Sequence, residues 1–358
     1  MSWFKTIGWG FYLTCSWTWC IGMFLPVVLL HRYGWQGFLM FAIPNVLGCS
    51  AFGYVIRTPD RSKKLVKQYG GIMSLFAIVT VAFHLFFLAM ISVLHFPEAG
   101  FGASIVIPIA ILFLGAALAL LPNRLWPMLA TVVWIFSLFA GFAMLPVETS
   151  IQPTHPWQDV VWLWPITTFG FVLCPYLDPT FHRAMQSSPS KHAFGIFGIA
   201  FAIMIAVTCV YHNVILATLP ILLALHLVIQ STFTIGAHLK EGWKTNVQQR
   251  RKGFILLLVT ACTIAIAVAH RSYGGEDSSV NDYIRFFVFY GLIFPALVVT
   301  FMFTKRSFTA VRTILFCLAI ILSLPLLELG YLHGSAWLSV LPVVLFLTWA
   351  FADCKTAK

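Results

Sequence analysis

Two histidines stand in the middle of long apolar runs, His84 in Val81-Ala-Phe-His-Leu-Phe-Phe and His226 in Leu223-Ala-Leu-His-Leu-Val-Ile. An ionisable group at membrane depth is costly unless it faces a cavity or a partner, and imidazole changes charge near neutral pH. The pair could therefore contact a polar solute or carry a proton. The plainer alternative is a neutral ring donating one hydrogen bond between packed helices. A haem or metal held by the two would instead indicate an enzyme. Gln230-Ser-Thr-Phe-Thr234 follows His226 in the same run and can bond across to neighbouring helices.

Two stretches are composed to interrupt a helix. One is Cys15-Ser-Trp-Thr-Trp-Cys-Ile-Gly-Met-Phe-Leu-Pro26, with Gly22 one turn before Pro26. The other is Trp164-Pro-Ile-Thr-Thr-Phe-Gly-Phe-Val-Leu-Cys-Pro175, with Gly170 between two prolines. Proline removes a ladder hydrogen bond and glycine weakens a helix. In hydrocarbon, backbone freed in this way survives only where it is buried or lines a polar cavity. Matched breaks in two halves of a chain point to a binding site; taken singly, each could be an ordinary kink. Trp17, Trp19, Phe169 and Phe171 flank the breaks and could stack on a flat, apolar or cationic solute, or simply pack. In Leu177-Asp-Pro-Thr-Phe-His-Arg183, Asp178 is placed to cap a short helix that has Pro179 at its first position. Its charge could also pair with Arg183.

The elements that must carry these residues follow from composition. Hydrophobic residues make up 60% of the 358 and charged residues 9%, against about 25% charged in soluble domains. Apolar runs near the ~20 residues needed to cross hydrocarbon recur at 7–31, 36–56, 72–95, 104–121, 125–145, 157–178, 193–211, 214–237, 253–270, 283–304, 309–327 and 335–352. The expectation is an all-α polytopic membrane protein of about 12 spans, a single integral membrane domain. With both termini in the cytoplasm, all 22 Lys and Arg residues but Arg32, Arg271 and Arg285 fall inside, as the positive-inside bias requires. The same short basic clusters account for the net charge of +11 without nucleic acid as a partner. The first run is too long for a signal peptide core, and the eight cysteines form no C-x-x-C pair. No Walker loop, dinucleotide fingerprint, nucleophile elbow or H-E-x-x-H occurs, so no enzyme, ATP-driven pump or membrane protease is expected.

Five spans precede the second break, so the chain divides into a first five-helix repeat (1–150), a second in inverted orientation (151–304) and two additional helices (305–358). Gly22-Met-Phe-Leu-Pro26 and Thr167-Thr-Phe-Gly-Phe171 in this layout resemble the unwound segments of the LeuT-type fold of the amino acid–polyamine–organocation superfamily, which holds sodium/solute symporters and amino-acid permeases. The resemblance implies secondary active transport of a small organic solute, such as an amino acid, coupled to Na+ or H+ by alternating access. It implies substrate contacts from Trp19, Cys20, Gly22, Thr167, Thr168, Phe169 and Gly170, joined by His84 and His226. By the same analogy Ser231 and Thr232, with backbone carbonyls of Cys20 and Ile21, would ligate sodium. No other cofactor is implied. The expected partners are the solute, the lipid bilayer and, in one reading, a membrane subunit; the expected location is a bacterial inner (plasma) membrane. The alternative from another class is a non-transporting sensor or structural subunit on the same scaffold.

Overall fold

In the computed structural model the described residues are 2–96, 100–145, 151–242 and 279–356, with 253, 259–260 and 263–264. The regular structure among them is helical throughout. Nine of these helices are long and apolar enough to cross a membrane, or ten if one bent pair counts as a span. The chain is an all-α integral membrane protein. The expected span at 253–270, the basic residues Lys244 to Lys252 and the acidic pair Glu276 and Asp277 lie outside the described residues, apart from the isolated positions named.

The helices are α1 (Ser2–Trp17), α2 (Cys20–Ile56), α3 (Pro59–His95), α4 (Gly100–Ala119), α5 (Trp126–Phe142), α6 (Asp159–Leu173), α7 (Pro179–Ser187), α8 (Ala193–Tyr211), α9 (Val214–Ala217) and α10 (Ile221–Gly242). They continue with α11 (Ser279–Phe303), α12 (Ala310–Leu332) and α13 (Val340–Thr356). Some boundaries move from the expected ones for local reasons. Thr58 accepts from Arg61 N and Pro59 takes the first helical position, so α3 starts before its apolar run and carries a polar overhang. The run from 214 divides because Pro220 disfavours helical backbone before it; Thr218 is extended (φ −139°, ψ 164°). α2 bends at Gly34, whose φ of +67° a side chain would oppose.

The chain forms two compact units. The first comprises residues 1–27, 50–150 and 178–283. Its centre is α3, buried on nearly every side from Met73 to Ser92, as a helix apolar all round should be. α4 and α10 pack on it through Ile78, Val81, Leu85, Ile111, Ile235 and Leu239. The approach is close: a Cβ on Gly115 would lie 2.6 Å from the Ile235 side chain. Lys240 then caps α4, donating to the carbonyls of Ala119 (2.8 Å) and Leu121 (2.7 Å). α1 packs on α5, α8 and α10, and α7 on α3. Outward faces remain apolar, with Phe113, Leu114, Val132 and Phe139 exposed where lipid would lie.

The second unit comprises residues 28–49, 151–177 and 284–358. Here α6 packs on α11 and on the turn Ala336–Ser339. α11 widens to a π-helical turn over Phe289–Ile293, in which Phe294 N bonds to Phe289 O. The next donor in that register is Pro295, which has no N–H. The Tyr290 carbonyl is thereby freed; it accepts from Cys174 Sγ at 3.3 Å and lies against Gly170. A Cβ at position 170 would sit 2.6 Å from that oxygen. Gly170→Val should therefore lower stability by about 1–3 kcal/mol through overpacking, seen as a lower melting temperature in detergent. Gly70→Val, which meets open space, serves as the control. Equal melting of the two variants would refute the close packing.

Candidate functional site

The interruption near the N-terminus falls at Thr18–Trp19, four residues ahead of the Gly22 expected to mark it, and Gly22 itself is helical. Three hydroxyls prepare it. Thr14, Ser16 and Thr18 turn back onto the carbonyls of Gly10 (3.0 Å), Leu13 (3.2 Å) and Thr14 (2.8 Å), competing with the helical ladder. Where α1 stops, the carbonyls of Cys15 and Ser16 lose the amides of Trp19 and Cys20 as partners. Three of these groups are matched again. Cys15 O accepts from Gln230 Nε2 (2.5 Å) and Thr234 Oγ1 (3.1 Å) of α10. Ser16 O accepts from the indole of Trp19 (2.5 Å). The Cys20 amide, first in α2, donates to His84 Nε2 of α3 at 3.3 Å.

The bonds of His84 fix its state. Its Nδ1 lies 2.8 Å from Thr80 O, an acceptor only, so Nδ1 carries the hydrogen and Nε2 offers the lone pair that Cys20 N–H requires. Both nitrogens of this buried ring are engaged, which leaves none for a metal. His84 is a neutral cap on a helix that begins inside the protein. Tyr283 Oη donates to Cys20 O (2.9 Å) and Tyr211 Oη to Met23 O (2.8 Å), holding the first turn of α2 from two more sides.

A second polar group lies beside the break. Asp178 caps α7 as expected, Oδ1 accepting from Thr180 N (2.6 Å) and Thr180 Oγ1 (2.7 Å). It does not pair with Arg183. That guanidinium reaches Glu241 at 3.5 Å and stacks over Trp9. Asp178 Oδ2 instead faces His238 Nε2 at 3.5 Å, both side chains fully buried. The Trp19 ring meets His238 edge-on at 5.6 Å and is tilted against Trp17 at 4.3 Å.

No family model and no curated protein matches this sequence. The arrangement is therefore interpreted from its own geometry.

Of the sequence-predicted residues, the first unit brings Trp19, Cys20 and His84 together at the break. Ile21 is buried in the same turn, and Gly22 lies against Phe201 and Thr18. His226 is elsewhere on α10, 6.0 Å from the Tyr211 ring, with Nδ1 buried and unbonded among the described residues. The proposed sodium pair is not assembled as expected. Thr232 turns back to Val228 O (2.7 Å), Ser231 Oγ is buried without a partner among the described residues, and Cys20 O is held by Tyr283. Adjacent positions on a helix point about 100° apart, so two neighbouring hydroxyls seldom share a target. In the second unit Thr167 donates to Leu163 O (2.9 Å) and lies 3.5 Å from Tyr331 Oη. Thr168 Oγ1 is buried without a partner among the described residues, and Phe169 is buried on the same helix. Gly170 lies in continuous helix as a packing point, not as an unwound break.

Gln230, Thr234, His238 and Tyr283 were missed as site residues. The legible signal is the four-residue spacing of His226, Gln230, Thr234 and His238, which sets a polar stripe along one face of the helix, buried along its length. His84→Phe should cost about 1–3 kcal/mol, because it strands a buried amide. Thr234→Val, which leaves Cys15 O with Gln230, should cost about 0.5–1.5 kcal/mol. Thermal unfolding of the purified variants compares them; a His84→Phe protein as stable as the parent would remove its capping role.

Proposed function

We propose that this protein is a cation-coupled carrier of a small organic solute that works by alternating access. The observation that carries the reading is the interruption between α1 and α2 within a buried helical unit. A helix that only anchors a chain gains nothing from such a break. A carrier gains the amide end of a half-helix, with its partial positive charge, inside the membrane. On this reading the solute binds beside Cys20, Ile21 and Gly22, with Trp17 and Trp19 as ring faces. The architecture we favour is the LeuT-type inverted repeat with twelve crossings and cytoplasmic termini. α1 and the first part of α2 form one crossing, and the part of α2 beyond Gly34 forms the next. The protein is then a transporter of an inner (plasma) membrane and not an enzyme.

A second reading, a sensor or structural subunit, has one observation in its favour. The break is tightly closed, with Trp19 at 3% and Cys20 at 0% exposure and with the Trp19 indole and the Cys20 amide matched. The two readings separate in one experiment. Melting of the detergent-purified protein is followed across a panel of amino acids and small amines, in sodium and choline buffers, at two pH values. A carrier meeting its solute at about 100 times Kd gains about 2.7 kcal/mol, a solute-specific rise in melting temperature. A folded, stable protein that responds to nothing in the panel would shift the assignment to the sensor or subunit.

A further inference from the structure

His238 donates through Nδ1 to Thr234 O at 2.9 Å. A carbonyl only accepts, so the hydrogen of the neutral ring is on Nδ1 and Nε2 presents a lone pair. That lone pair faces Asp178 Oδ2 at 3.5 Å, and among the described residues neither atom has a hydrogen-bond partner although both are buried. The other carboxylate oxygen is already occupied by Thr180. Two buried acceptors facing one another form a stable pair only when a proton lies between them.

We propose that Asp178 and His238 together hold one exchangeable proton, reached from a polar pocket between α3 and α7, and that this proton is the coupling ion of the carrier. The last clause rests on the transport reading above; the proton pair does not. With the proton bound, Nε2–H donates to Oδ2 and the pair is neutral overall. On its release to water, two lone pairs and a net negative charge remain, and the contact opens.

Two cavities of the first unit lie near the pair. A pocket of about 490 Å³ is lined by Lys67, Gln68, His182, Arg183, Gln186 and Glu241, among others. A small cavity of about 10 Å³ lies against His238, close to the smallest space that holds one water. Ser74 and Gly242 line both cavities and are joined by the Ser74 Oγ to Gly242 O bond at 3.0 Å. The pocket and the cavity beside the ring therefore meet at these two residues, and opening of their bond is the step that would admit a proton to the ring. From there the effect reaches the break, because the His238 ring packs on Trp19, whose indole holds Ser16 O.

Charged and titratable neighbours are contributed by the elements around the pair. α1 offers Tyr12 and α3 offers His84, both near enough for electrostatic interaction. α7 brings His182 and Arg183, and α10 itself brings Glu241. α4 and α5 carry no titratable side chain within their helices.

The test uses the full-length protein labelled with 15N-histidine, its spectrum followed across about pH 5 to 8, with His238→Gln assigning the signal. The expected result is a His238 ring whose Nε2 gains a proton in the parent and loses it in Asp178→Asn. Asparagine keeps the α7 cap, so the fold is retained. A bare Nδ1, or the same titration in both proteins, overturns the proton pair. The melting panel is then repeated with Asp178→Asn. A solute response that varies with pH in the parent, ignores sodium and is lost in the variant supports coupling. A sodium-dependent response unchanged in the variant overturns the coupling clause and leaves the carrier reading standing. A titrating pair with no solute response removes the carrier reading and the coupling clause together, leaving the proton site.

Discussion

A peptide group cut loose from its helix in a dry interior has no water to turn to, and leaving it unmatched costs several kcal/mol. At Thr18–Trp19 that demand organises the first unit. The amide of Cys20 requires a neutral imidazole acceptor, and His84 supplies it from α3. The carbonyl of Cys15 requires donors, and Gln230 and Thr234 supply them from α10. These side chains reach the break only if α3 and α10 lie close together. The small residues Gly115 and Gly236 and the aliphatic cluster of Ile78, Val81, Ile111 and Ile235 hold α3, α4 and α10 together. Packing and polar matching therefore enforce one another.

The membrane class and most helices were legible because apolar length is a strong signal. Composition alone excludes a solvated surface, and the Asp178-Pro179 cap could be read because side chain and backbone act within three residues of each other. The break was misplaced for a physical reason. Gly22 and Pro26 were weighed as helix breakers, but a glycine costs a helix only about 1 kcal/mol. Pro26 lies in the second turn of α2, past the point where the helix restarts. The competing bonds came from Thr14, Ser16 and Thr18, whose hydroxyls look like ordinary membrane-helix residues until their targets are known. Gly170 reads locally as a weak point in a helix, whereas it admits the Tyr290 carbonyl that Pro295 cannot bond. That contact joins segments more than a hundred residues apart, and no local pattern encodes it.

Spacing would have carried more than residue identity. Thr80 and His84 on α3, like Thr234 and His238 on α10, stand four apart, and in each pair the imidazole Nδ1 bonds the carbonyl one turn back. The same local bond thus fixes the same tautomer twice, turning Nε2 outward as an acceptor. What differs is the group each Nε2 meets. His84 meets an amide donor and is satisfied while neutral; His238 meets a carboxylate oxygen and is not. One local geometry yields a structural cap in the first case and a proton-demanding contact in the second.

Asp178 shows how both duties can fall on one side chain without conflict. A carboxylate has two oxygens with about four acceptor sites. Oδ1 is committed to Thr180 by two bonds, which hold the start of α7 whether or not His238 Nε2 carries a proton. Among the described residues, Oδ2 is thereby left to His238. Gain or loss of the proton between Nε2 and Oδ2 would leave α7 capped and would instead alter the field felt by Arg183, further along α7, and by its partner Glu241. Those two residues line the pocket that leads to His238. The occupancy of the buried pair and the charge at the mouth of its access route are therefore linked through a single short helix.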